Sequence, residues 1–412
     1  MTPEQRAAEF DAADPLAGYR ERFTLPEGVI YLDGNSLGAL PKATPAALAR
    51  VVESEWGEGL IRSWNSAGWF DMASRIGAKI APLIGAAPNE VIACDSTSVN
   101  LFKLIAAALA HHARSGRPGR KVVLSEPGNF PTDLYMIAGL EAQGLAERRL
   151  VERDRLAGAL GEDVALLLLT HVHYKTGAMH DMAALTRAAH AAGALVLWDL
   201  SHSTGALPVD LNSAEADFAV GCGYKYLCGG PGAPAFAFVA ERHQAELQQP
   251  LTGWFGHAAP FAFSDDYAGA PGIERLQCGT PPVLGLAALE VGVDLIAEIG
   301  VARLHGKSQA LSEFFLECLM AHGVDLELVS PPRSAERGSQ LSFRHSEAYA
   351  ICQALIARGV IGDFRAPDVL RLGFAPAYLS FADIAAAARH LAEVLASGEW
   401  QRAEFNQRAA VT

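Results

Sequence analysis

The sequence predicts an α/β fold, in which a mostly parallel sheet has helices on both faces and a smaller α+β C-terminal domain follows. Three observations lead to this prediction. Short apolar runs without polar alternation recur through the middle of the chain, as strands do when a sheet is buried on both faces. Helical patterns separate these runs, which is typical of strand–helix–strand units. From about Pro282 the order of the elements changes.

The large sheet is predicted from apolar runs that end in polar or glycine-rich segments. Helices are predicted between them at Val99–His112 and Met182–Ala192, and a further strand at Pro234–Ala240 follows a glycine-rich turn. The other strands are predicted at Val91–Cys94, Lys121–Leu124, Val164–Thr170, Ala194–Trp198 and Phe218–Gly221.

The last third of the chain predicts a smaller domain. Two long helical stretches, Val283–Ile299 and Val301–His322, lead away from the sheet, and Ser380 is the predicted N-cap of the final helix. Strands are predicted at Val324–Val329, Gln340–His345, Val360–Phe364 and Val369–Phe374, with a helix at Glu347–Arg358. We therefore divide the chain into an N-terminal segment (1–40) that contributes to the small domain, a large domain (41–281) and a small C-terminal domain (282–412).

The composition excludes several classes of protein. Of the 412 residues, 50% are hydrophobic and 19% are charged, which suits a large core and excludes disorder as the main state. The net charge of −13 disfavours nucleic acids and anionic membranes as partners. The apolar stretch Leu101–Ala110 is too short for a membrane span, and Met1–Asp14 lacks the apolar core of a signal peptide.

The six cysteines form no CxxC pair and no compact framework. They predict reduced, mostly buried thiols in a cytoplasmic protein rather than disulfides or a zinc site. The pair His171 and His173 does not indicate a metal site, because no third and fourth ligand follow at a suitable spacing.

The residues that follow each strand are the candidates for a site, because open parallel sheets bind ligands beyond the carboxyl ends of their strands. Asp95–Asn100 opens a helix, and its hydroxyl and N–H groups form either a phosphate site or an ordinary N-cap. Phe130 and Asp133 follow the second strand, although Phe130 by itself also suits the core. Thr170 ends the third strand and is well placed to face a ligand.

Asp199 and Lys225 follow the next two strands. A buried carboxylate needs a cation or a donor, or else it caps a turn. A lysine among glycines and apolar residues either is buried, with a lowered pKa, or extends to the surface. Together, the anion site, the aromatic ring, the carboxylate and the amine match what pyridoxal phosphate requires.

The chain resembles the fold-type I pyridoxal-phosphate enzymes of the class V aminotransferase group, and within that group the kynureninase family, over nearly its whole length. The motifs that carry the resemblance are Tyr31–Gly38, Asp95–Asn100, Asn129–Asp133, Trp198–His202, Gly223–Tyr226, Gly253–Gly256, Gly279–Pro282 and Arg371–Pro376. Of these, Tyr31–Gly38 and Asn129–Asp133 are the most specific.

This resemblance implies the roles of the cofactor residues. Lys225 would hold the cofactor aldehyde covalently, Asp199 would pair with the ring nitrogen, and Phe130 would stack on the ring. Asp133 would help to position the cofactor, Thr170 would contact one side of the ring, and His202 would lie near the ring hydroxyl. The implied phosphate ligands are Thr97, Ser98, Tyr224, Trp254 and Thr280. Which of Ser96, Thr97 and Ser98 touch the phosphate stays open.

The resemblance also implies a homodimer with shared active sites, in which Trp254 and Thr280 come from the neighbouring subunit. Arg371 would bind the α-carboxylate of an amino acid, as its planar guanidinium suits, with help from Asn35. Trp64 and His257 would be either walls for an aromatic substrate or ordinary packing residues.

The implied reaction is the hydrolysis of L-kynurenine, and of 3-hydroxykynurenine in addition or in preference, to an anthranilate and L-alanine in tryptophan degradation. Lys225 would take the α-proton, Asp199 would keep the ring protonated, and Tyr224 would relay protons in the carbonyl steps. The alternative is a cysteine desulfurase or selenocysteine lyase, which would need a cysteine on a mobile loop. Cys278 is the nearest candidate, and it precedes a motif that is needed elsewhere.

Overall fold

A computed structural model describes residues 1–408 of the chain, so residues 409–412 of the predicted C-terminal domain lie outside the described residues. The helices are α1 (Pro3–Ala13), α2 (Thr44–Arg50), α3 (Ser63–Ser66), α4 (Met72–Ile80), α5 (Thr97–Arg114), α6 (Pro131–Ala142), α7 (Met182–Ala191), α8 (Glu241–Gln244), α9 (Val283–Ile299), α10 (Val301–Ala321), α11 (Ala348–Ala357) and α12 (Phe381–Ser397). A π-helical segment, Val51–Gly59, continues α2.

The strands are β1 (Phe23–Thr24), β2 (Ile30–Tyr31), β3 (Leu40–Pro41), β4 (Val91–Ala93), β5 (Val122–Ser125), β6 (Glu147–Leu150), β7 (Val164–Thr170), β8 (Leu195–Asp199), β9 (Phe218–Gly221), β10 (Phe236–Val239), β11 (Glu327–Leu328), β12 (Gln340–Arg344), β13 (Val360–Ile361), β14 (Asp363–Arg365) and β15 (Val369–Gly373). Every predicted strand of the large sheet is present within a shift of one or two residues at its ends.

Within residues 1–408, the large sheet has seven strands in the order β4-β10-β9-β8-β7-β5-β6. It is mostly parallel, as predicted, and β10 alone among them runs antiparallel, to both β4 and β9. All residues of β7 and β8 are buried, so both faces of the sheet are covered there. Strand β6 was not predicted, because its charged residues lie at an exposed edge of the sheet and do not form an apolar run.

The smaller sheet has the order β11-β12-β15-β14, and all its pairs are antiparallel. The predicted strand Val360–Phe364 is divided into two. Its first part, β13, pairs instead with β2 of the N-terminal segment, in parallel. The final helix, α12, begins at the predicted N-cap, where the Ser380 side chain accepts the N–H of Asp383 at 3.0 Å.

The N-terminal segment packs against the C-terminal part of the chain. The Leu32 N–H donates to the Ile361 carbonyl, and the Gly373 N–H donates to the Leu32 carbonyl, each at 2.7 Å. In α1, the carboxylate of Asp11 accepts the N–H groups of Phe381 and Ala382 at the start of α12. These contacts agree with a segment that serves the small domain, and the boundaries near residues 40 and 281 stay a proposal.

Among residues 1–408, no helix combines the length and the apolar character that crossing a lipid bilayer requires.

Helix α4 packs so closely on β4 that one position requires glycine. A Cβ on Gly77 would lie 2.2 Å from the Val91 carbonyl oxygen and 2.7 Å from the Ile92 Cα, and both of these atoms belong to backbone. We therefore predict that Gly77→Ala destabilises the protein by about 1–3 kcal/mol, through overpacking.

The control is Gly139→Ala on the exposed side of α6, where a Cβ meets no atom within 4 Å. That change is expected to stabilise by about 0.5–1 kcal/mol, because it removes a helical glycine. Thermal unfolding measures both variants, and equal melting temperatures would contradict the prediction.

Candidate active site

The predicted residues at the strand ends converge on one cavity at the carboxyl edge of the large sheet. Thr170 and Asp199 are the last residues of β7 and β8 and are direct partners in the parallel register. The residues that line the cavity are Ser96, Thr97, Ser98, Phe130, Thr132, Thr170, Asp199, Ser201, His202, Tyr224 and Lys225.

The amine of Lys225 is buried beside an imidazole. Its Nζ lies 2.9 Å from Nε2 of His202, which is buried as well. Burial lowers the pKa of Lys225, and burial together with the charge of Lys225 places the pKa of His202 well below its usual range. The site therefore holds a neutral imidazole next to an amine that gives up its proton more easily than a surface lysine does.

Asp199 and Asp133 form a buried pair of carboxyl groups that differ in their partners. Asp199 Oδ1 accepts the Ser201 N–H at 2.7 Å, whereas Asp133 Oδ2 lies 3.1 Å from the Thr170 hydroxyl. Burial raises the pKa of both groups, and the charge of Asp199 takes that of Asp133 well above its usual value. Hydrogen bonds from Ser201 and Asp133 act in the opposite direction on Asp199. The proton of this pair therefore belongs on Asp133, and Asp199 is the carboxylate.

The start of α5 forms one wall of the cavity. Ser96 is the N-cap, and its side chain accepts the Val99 N–H at 3.4 Å. Thr97 and Ser98 also line the cavity, and the Ser98 hydroxyl lies 2.7 Å from that of Thr132. The first-turn N–H groups have no acceptors within a helix, so this wall suits an anion. Just before the helix, Asp95 is held by the fully buried Lys103, which also donates to the Leu276 carbonyl.

Two aromatic rings flank the lysine. The Lys225 Nζ lies 5.6 Å from the ring centroid of Phe130 and 5.9 Å from that of Tyr224. Phe130 packs edge-on against Tyr174, which fixes its ring plane. Burial raises the pKa of the Tyr224 phenol, so this group stays a proton donor near neutral pH.

Arg371 lies in β15 and is 1% exposed. Its guanidinium donates to the Tyr174 carbonyl at 2.6 Å, to the Ser36 hydroxyl at 2.7 Å and to Asp363 Oδ2 at 2.6 Å. Arg365 shares both the Asp363 carboxylate and the Ser36 hydroxyl. This set of residues is a built cationic site, in which the Nε of each arginine is buried without a partner among the described residues.

Asn35 is fully buried beside Gly373, where a glycine Cβ would lie 1.8 Å from the amide oxygen. Both amide atoms of Asn35 are buried and have no partner in residues 1–408. An amide in this state suits a bound polar group, because an unpaired buried amide is unfavourable.

Seven predicted site residues are not among those that line the Lys225 cavity. Three of them, Asp133, Arg371 and Asn35, are described above, and the other four are Trp64, Trp254, His257 and Thr280. Trp64 and Trp254 line a separate apolar cavity of about 720 Å³ with Phe70, Phe255 and Phe261. Trp254 is 43% exposed, and Thr280 is exposed too. His257 is half-buried, with Nδ1 accepting the Ala259 N–H at 2.8 Å.

Several residues that complete the site have no role predicted from the sequence. Thr132 lines the cavity and shares a 2.7 Å hydrogen bond with Ser98, and Ser201 supplies the N–H for Asp199. Ser36, Asp363 and Arg365 surround Arg371. Thr132 and Ser201 lie within the motifs Asn129–Asp133 and Trp198–His202, so their position was an available signal. The register of β14 against β15, which pairs Asp363 with Arg371, was not visible in the sequence.

The histidines of the His-x-His pair have other partners. His171 Nδ1 lies 2.9 Å from the Ser203 hydroxyl, and His173 Nε2 lies 2.9 Å from the Gly128 carbonyl. Across residues 1–408, no group of three or more His, Cys, Asp or Glu side chains is arranged to hold a metal ion.

Comparisons with known proteins give relatives of two kinds. Residues 304–391 match the family described as "Kynureninase C-terminal domain". Kynureninases from Burkholderia mallei (strain SAVP1) and Burkholderia pseudomallei (strain 1106a) are each 51% identical, and the one from Pseudomonas fluorescens is 49% identical. In all three the alignment covers 100% of both chains.

The solved structures that resemble the chain share its fold at low sequence identity. The apo cysteine desulfurase from Thermococcus onnurineus NA1 has a TM-score of 0.78 at 19% identity and covers 92% of this chain and 98% of its own. The cysteine desulfurase CsdA from Escherichia coli has a TM-score of 0.76 at 18% identity, with 93% and 98% covered. These similarities concern the fold alone.

Proposed function

The chain belongs to the kynureninase family, and we propose that it hydrolyses L-kynurenine to anthranilate and L-alanine with pyridoxal 5′-phosphate as its cofactor. The observation that carries this proposal is the buried Lys225 amine, 2.9 Å from His202, at the sheet edge where Asp199 and the start of α5 also lie. The identity of about half of all residues with kynureninases supports the same reaction.

The residues present fit this cofactor. The N-terminus of α5, with Thr97 and Ser98, suits a phosphate group, and the buried Asp199 carboxylate suits a protonated ring nitrogen. The Nδ1 atom of His202 is buried and has no partner within residues 1–408, so it is available to a polar ring substituent. Phe130 would cover one face of the ring, and Thr170 would contact its side.

When bound, the cofactor supplies an electron sink for the carbanion that forms at the substrate α-carbon. Asp199 serves this chemistry by keeping a proton on the ring nitrogen. It can do so because Asp133 holds the proton of the carboxyl pair and leaves Asp199 ionised.

Lys225 is the base that removes the α-proton once the substrate amine has released it. Burial lowers its pKa, so this amine gives up its proton more easily than a surface lysine does, and it does not have to be desolvated first. His202, neutral and 2.9 Å away, can share a proton with it.

Arg371 binds the α-carboxylate, and the amide of Asn35 assists it. Tyr224 relays protons when water adds to the side-chain ketone and when the bond between the β- and γ-carbons breaks. The phenol suits this role because it lines the cavity beside Lys225 and remains protonated. Trp64 and His257 provide walls for the aromatic ring, in the kynurenine or the 3-hydroxykynurenine form.

The protein acts as a homodimer in which Trp254 and Thr280 complete the phosphate site of the neighbouring subunit. Both residues lie outside the Lys225 cavity of their own chain. Near them, a group of large apolar side chains is exposed, at 77% for Ile61, 60% for Phe261 and 75% for Phe263. An exposed aromatic patch of this kind is suited to burial against a second copy. We place the protein in the cytoplasm, where its six free cysteines would stay reduced.

The alternative reaction, sulfur removal from cysteine or selenocysteine, has less support. Cys278 is half-buried, its Sγ lies 3.4 Å from the Leu251 carbonyl, and it is not among the residues that line the Lys225 cavity. The other cysteines are buried.

Lys225→Ala is expected to abolish both trapping of the cofactor by borohydride and release of anthranilate from L-kynurenine, because no other amine lines the cavity described here. The control is Lys121→Ala. Lys121 is exposed and directly precedes β5, at the end of the strand away from the cavity, so this variant should keep both properties. Anthranilate fluorescence and the absorbance of the borohydride-treated protein measure the two effects. Sulfide release from cysteine without any fluorescence from kynurenine would reject the proposed function in favour of the alternative.

Tyr224→Phe is expected to lower kcat by about a hundredfold, the usual contribution of a positioned acid–base group, while the cofactor still binds. The other phosphate ligands and Lys225 are unchanged in this variant. Steady-state kinetics and the cofactor absorbance band measure the two properties. A fully active Tyr224→Phe protein would exclude the relay.

Shared active sites predict complementation between inactive subunits. A dimer of one Lys225→Ala chain and one Trp254→Ala chain, purified through two different tags, should recover about half of the wild-type rate, because one of its two sites is intact. The control dimer combines Lys225→Ala with Arg371→Ala, two residues of the same chain's site, and should stay inactive. Equal inactivity of both dimers would show that Trp254 does not serve the partner.

A further inference from the structure

A second carboxyl group, that of Asp33, lies within ion-pair distance of Arg371 but forms no hydrogen bond with it. Asp33 belongs to the N-terminal segment and forms a parallel bridge with Gly373, two residues beyond Arg371. Its Oδ1 lies 3.9 Å from Nη2 of Arg371, is buried, and has no hydrogen-bond partner in the described chain. Asp363, in contrast, accepts hydrogen bonds from Arg371, Arg365 and Ser36.

We propose that Asp33 is a positioning residue whose ionisation controls how strongly Arg371 captures the α-carboxylate of the substrate. This inference rests on the proposed function, in which Arg371 binds that carboxylate. Asp33 does not touch the reacting atoms, and it acts through the guanidinium.

The charges around Arg371 explain why protonation of Asp33 would strengthen substrate binding. With Asp33 ionised, the two guanidinium groups of Arg371 and Arg365 are balanced by the two carboxylates of Asp363 and Asp33. An incoming substrate carboxylate would then give this cluster of four side chains a net negative charge. With Asp33 protonated, the four side chains together carry one positive charge, and the substrate carboxylate neutralises it. Because charges interact strongly at low dielectric, the protonated form should bind the substrate more tightly.

The other titratable groups near Asp33 do not change their charge near neutral pH. Burial is the main cause that raises the pKa of each of them. They come from β2, from the loop of residues 222–235 that carries Lys225 (the lysine loop), from α11 and from the segment before α12. They are Tyr31, Tyr226, Cys228, Cys352 and Tyr378. The pKa of Asp33 itself is raised to about 7, first by burial and then by the charge of Asp363, so Asp33 changes its charge at physiological pH.

Substrate binding and protonation of Asp33 are then linked. A ligand that prefers the protonated form raises the pKa of Asp33 when it binds, and it takes up protons from solution. The affinity for the substrate carboxylate is therefore full below the pKa of about 7 and falls as the pH rises above it. An asparagine at this position mimics the protonated form at every pH.

The test compares the pH dependence of KM in three holoenzymes. In the wild type, KM for L-kynurenine should rise up to about tenfold between about pH 6 and about pH 8, as the protonated fraction of Asp33 falls. In Asp33→Asn, KM should stay at the low value throughout, with kcat within about twofold of the wild type, because only the affinity of the carboxylate site changes. The control is Asp325→Asn on the exposed surface of the small domain, which should keep the wild-type profile.

A purely structural role for Asp33 would not produce this result. The folded state disfavours an ionised Asp33, so Asp33→Asn should unfold at the same or a higher temperature than the wild type at about pH 8. A decarboxylated analogue of the substrate supplies a second measurement, because its inhibition constant should show the same pH dependence in wild type and Asp33→Asn. Infrared spectra of the protein without cofactor should show a protonated carboxyl band that titrates near neutral pH and is missing in Asp33→Asn.

Two different outcomes would contradict the proposal, one concerning Asp33 alone and the other the proposed function. Turnover of kynurenine with the same rise of KM in Asp33→Asn as in the wild type would overturn the role of Asp33 and leave the proposed function intact. Failure of the wild type to release anthranilate at any pH would overturn the proposed function, and with it the inference that rests on it.

Discussion

The packing of the N-terminal segment between the lysine loop and the small sheet is the constraint on which the site depends. The Gly38 N–H donates to the Tyr224 carbonyl at 2.8 Å, and a Cβ at this glycine would lie 2.2 Å from the Lys225 carbonyl oxygen. A few residues earlier, Leu32 bonds to both β13 and β15, and Ser36 reaches Arg371. One short stretch of backbone therefore fixes the distance between the amine and the guanidinium. In the proposed reaction Lys225 acts at the substrate α-carbon and Arg371 binds the carboxylate next to it, so misplacement of either group would reduce the rate.

Burial determines where the protons of this site are held. Removing an amine, an imidazole and two carboxyl groups from water is unfavourable, and their mutual hydrogen bonds offset only part of the cost. The remainder appears as shifted pKa values, lowered for Lys225 and His202 and raised for Asp133. The protein thus holds a ready base, a neutral imidazole and a single carboxylate within one cavity. The stability lost by burying these groups is what makes them chemically useful near neutral pH.

The sequence was sufficient to predict the large sheet and most of the residues at its edge, for a physical reason. Strands that are buried on both faces must be continuously apolar, so polar residues such as Thr170 and Asp199 mark the strand ends. The same pattern does not mark β6, which is an exposed edge strand with a charged sequence, and it gives no direction for β10, which depends on how the chain returns to the sheet. It also missed the surroundings of Arg371. Asp363 lies eight residues before Arg371 and Ser36 lies in the N-terminal segment, and the register of β14 and the path of that segment bring them to the guanidinium.

The sheet edge by itself does not decide which reaction takes place. A lysine, an aspartate and a helix N-terminus can serve any reaction that begins with a carbanion at the α-carbon, so enzymes with different products can share this fold. The outcome depends on what meets the substrate side chain. Transfer of sulfur requires a thiolate that reaches the substrate. Near Lys225, Cys222 and Cys228 are buried, burial raises the pKa of both thiols, and neither lines the cavity that Asp199 and the start of α5 share with Lys225. Cleavage beside an aryl ketone requires instead a proton donor for the carbonyl oxygen and an apolar wall for the ring. Tyr224, which lines the Lys225 cavity, is the proposed donor, and the aromatic side chains around Trp64 and Trp254 would form the wall if a partner subunit brings them to this cavity. The assembly of two chains, rather than the fold of one, would then complete the specificity of the site.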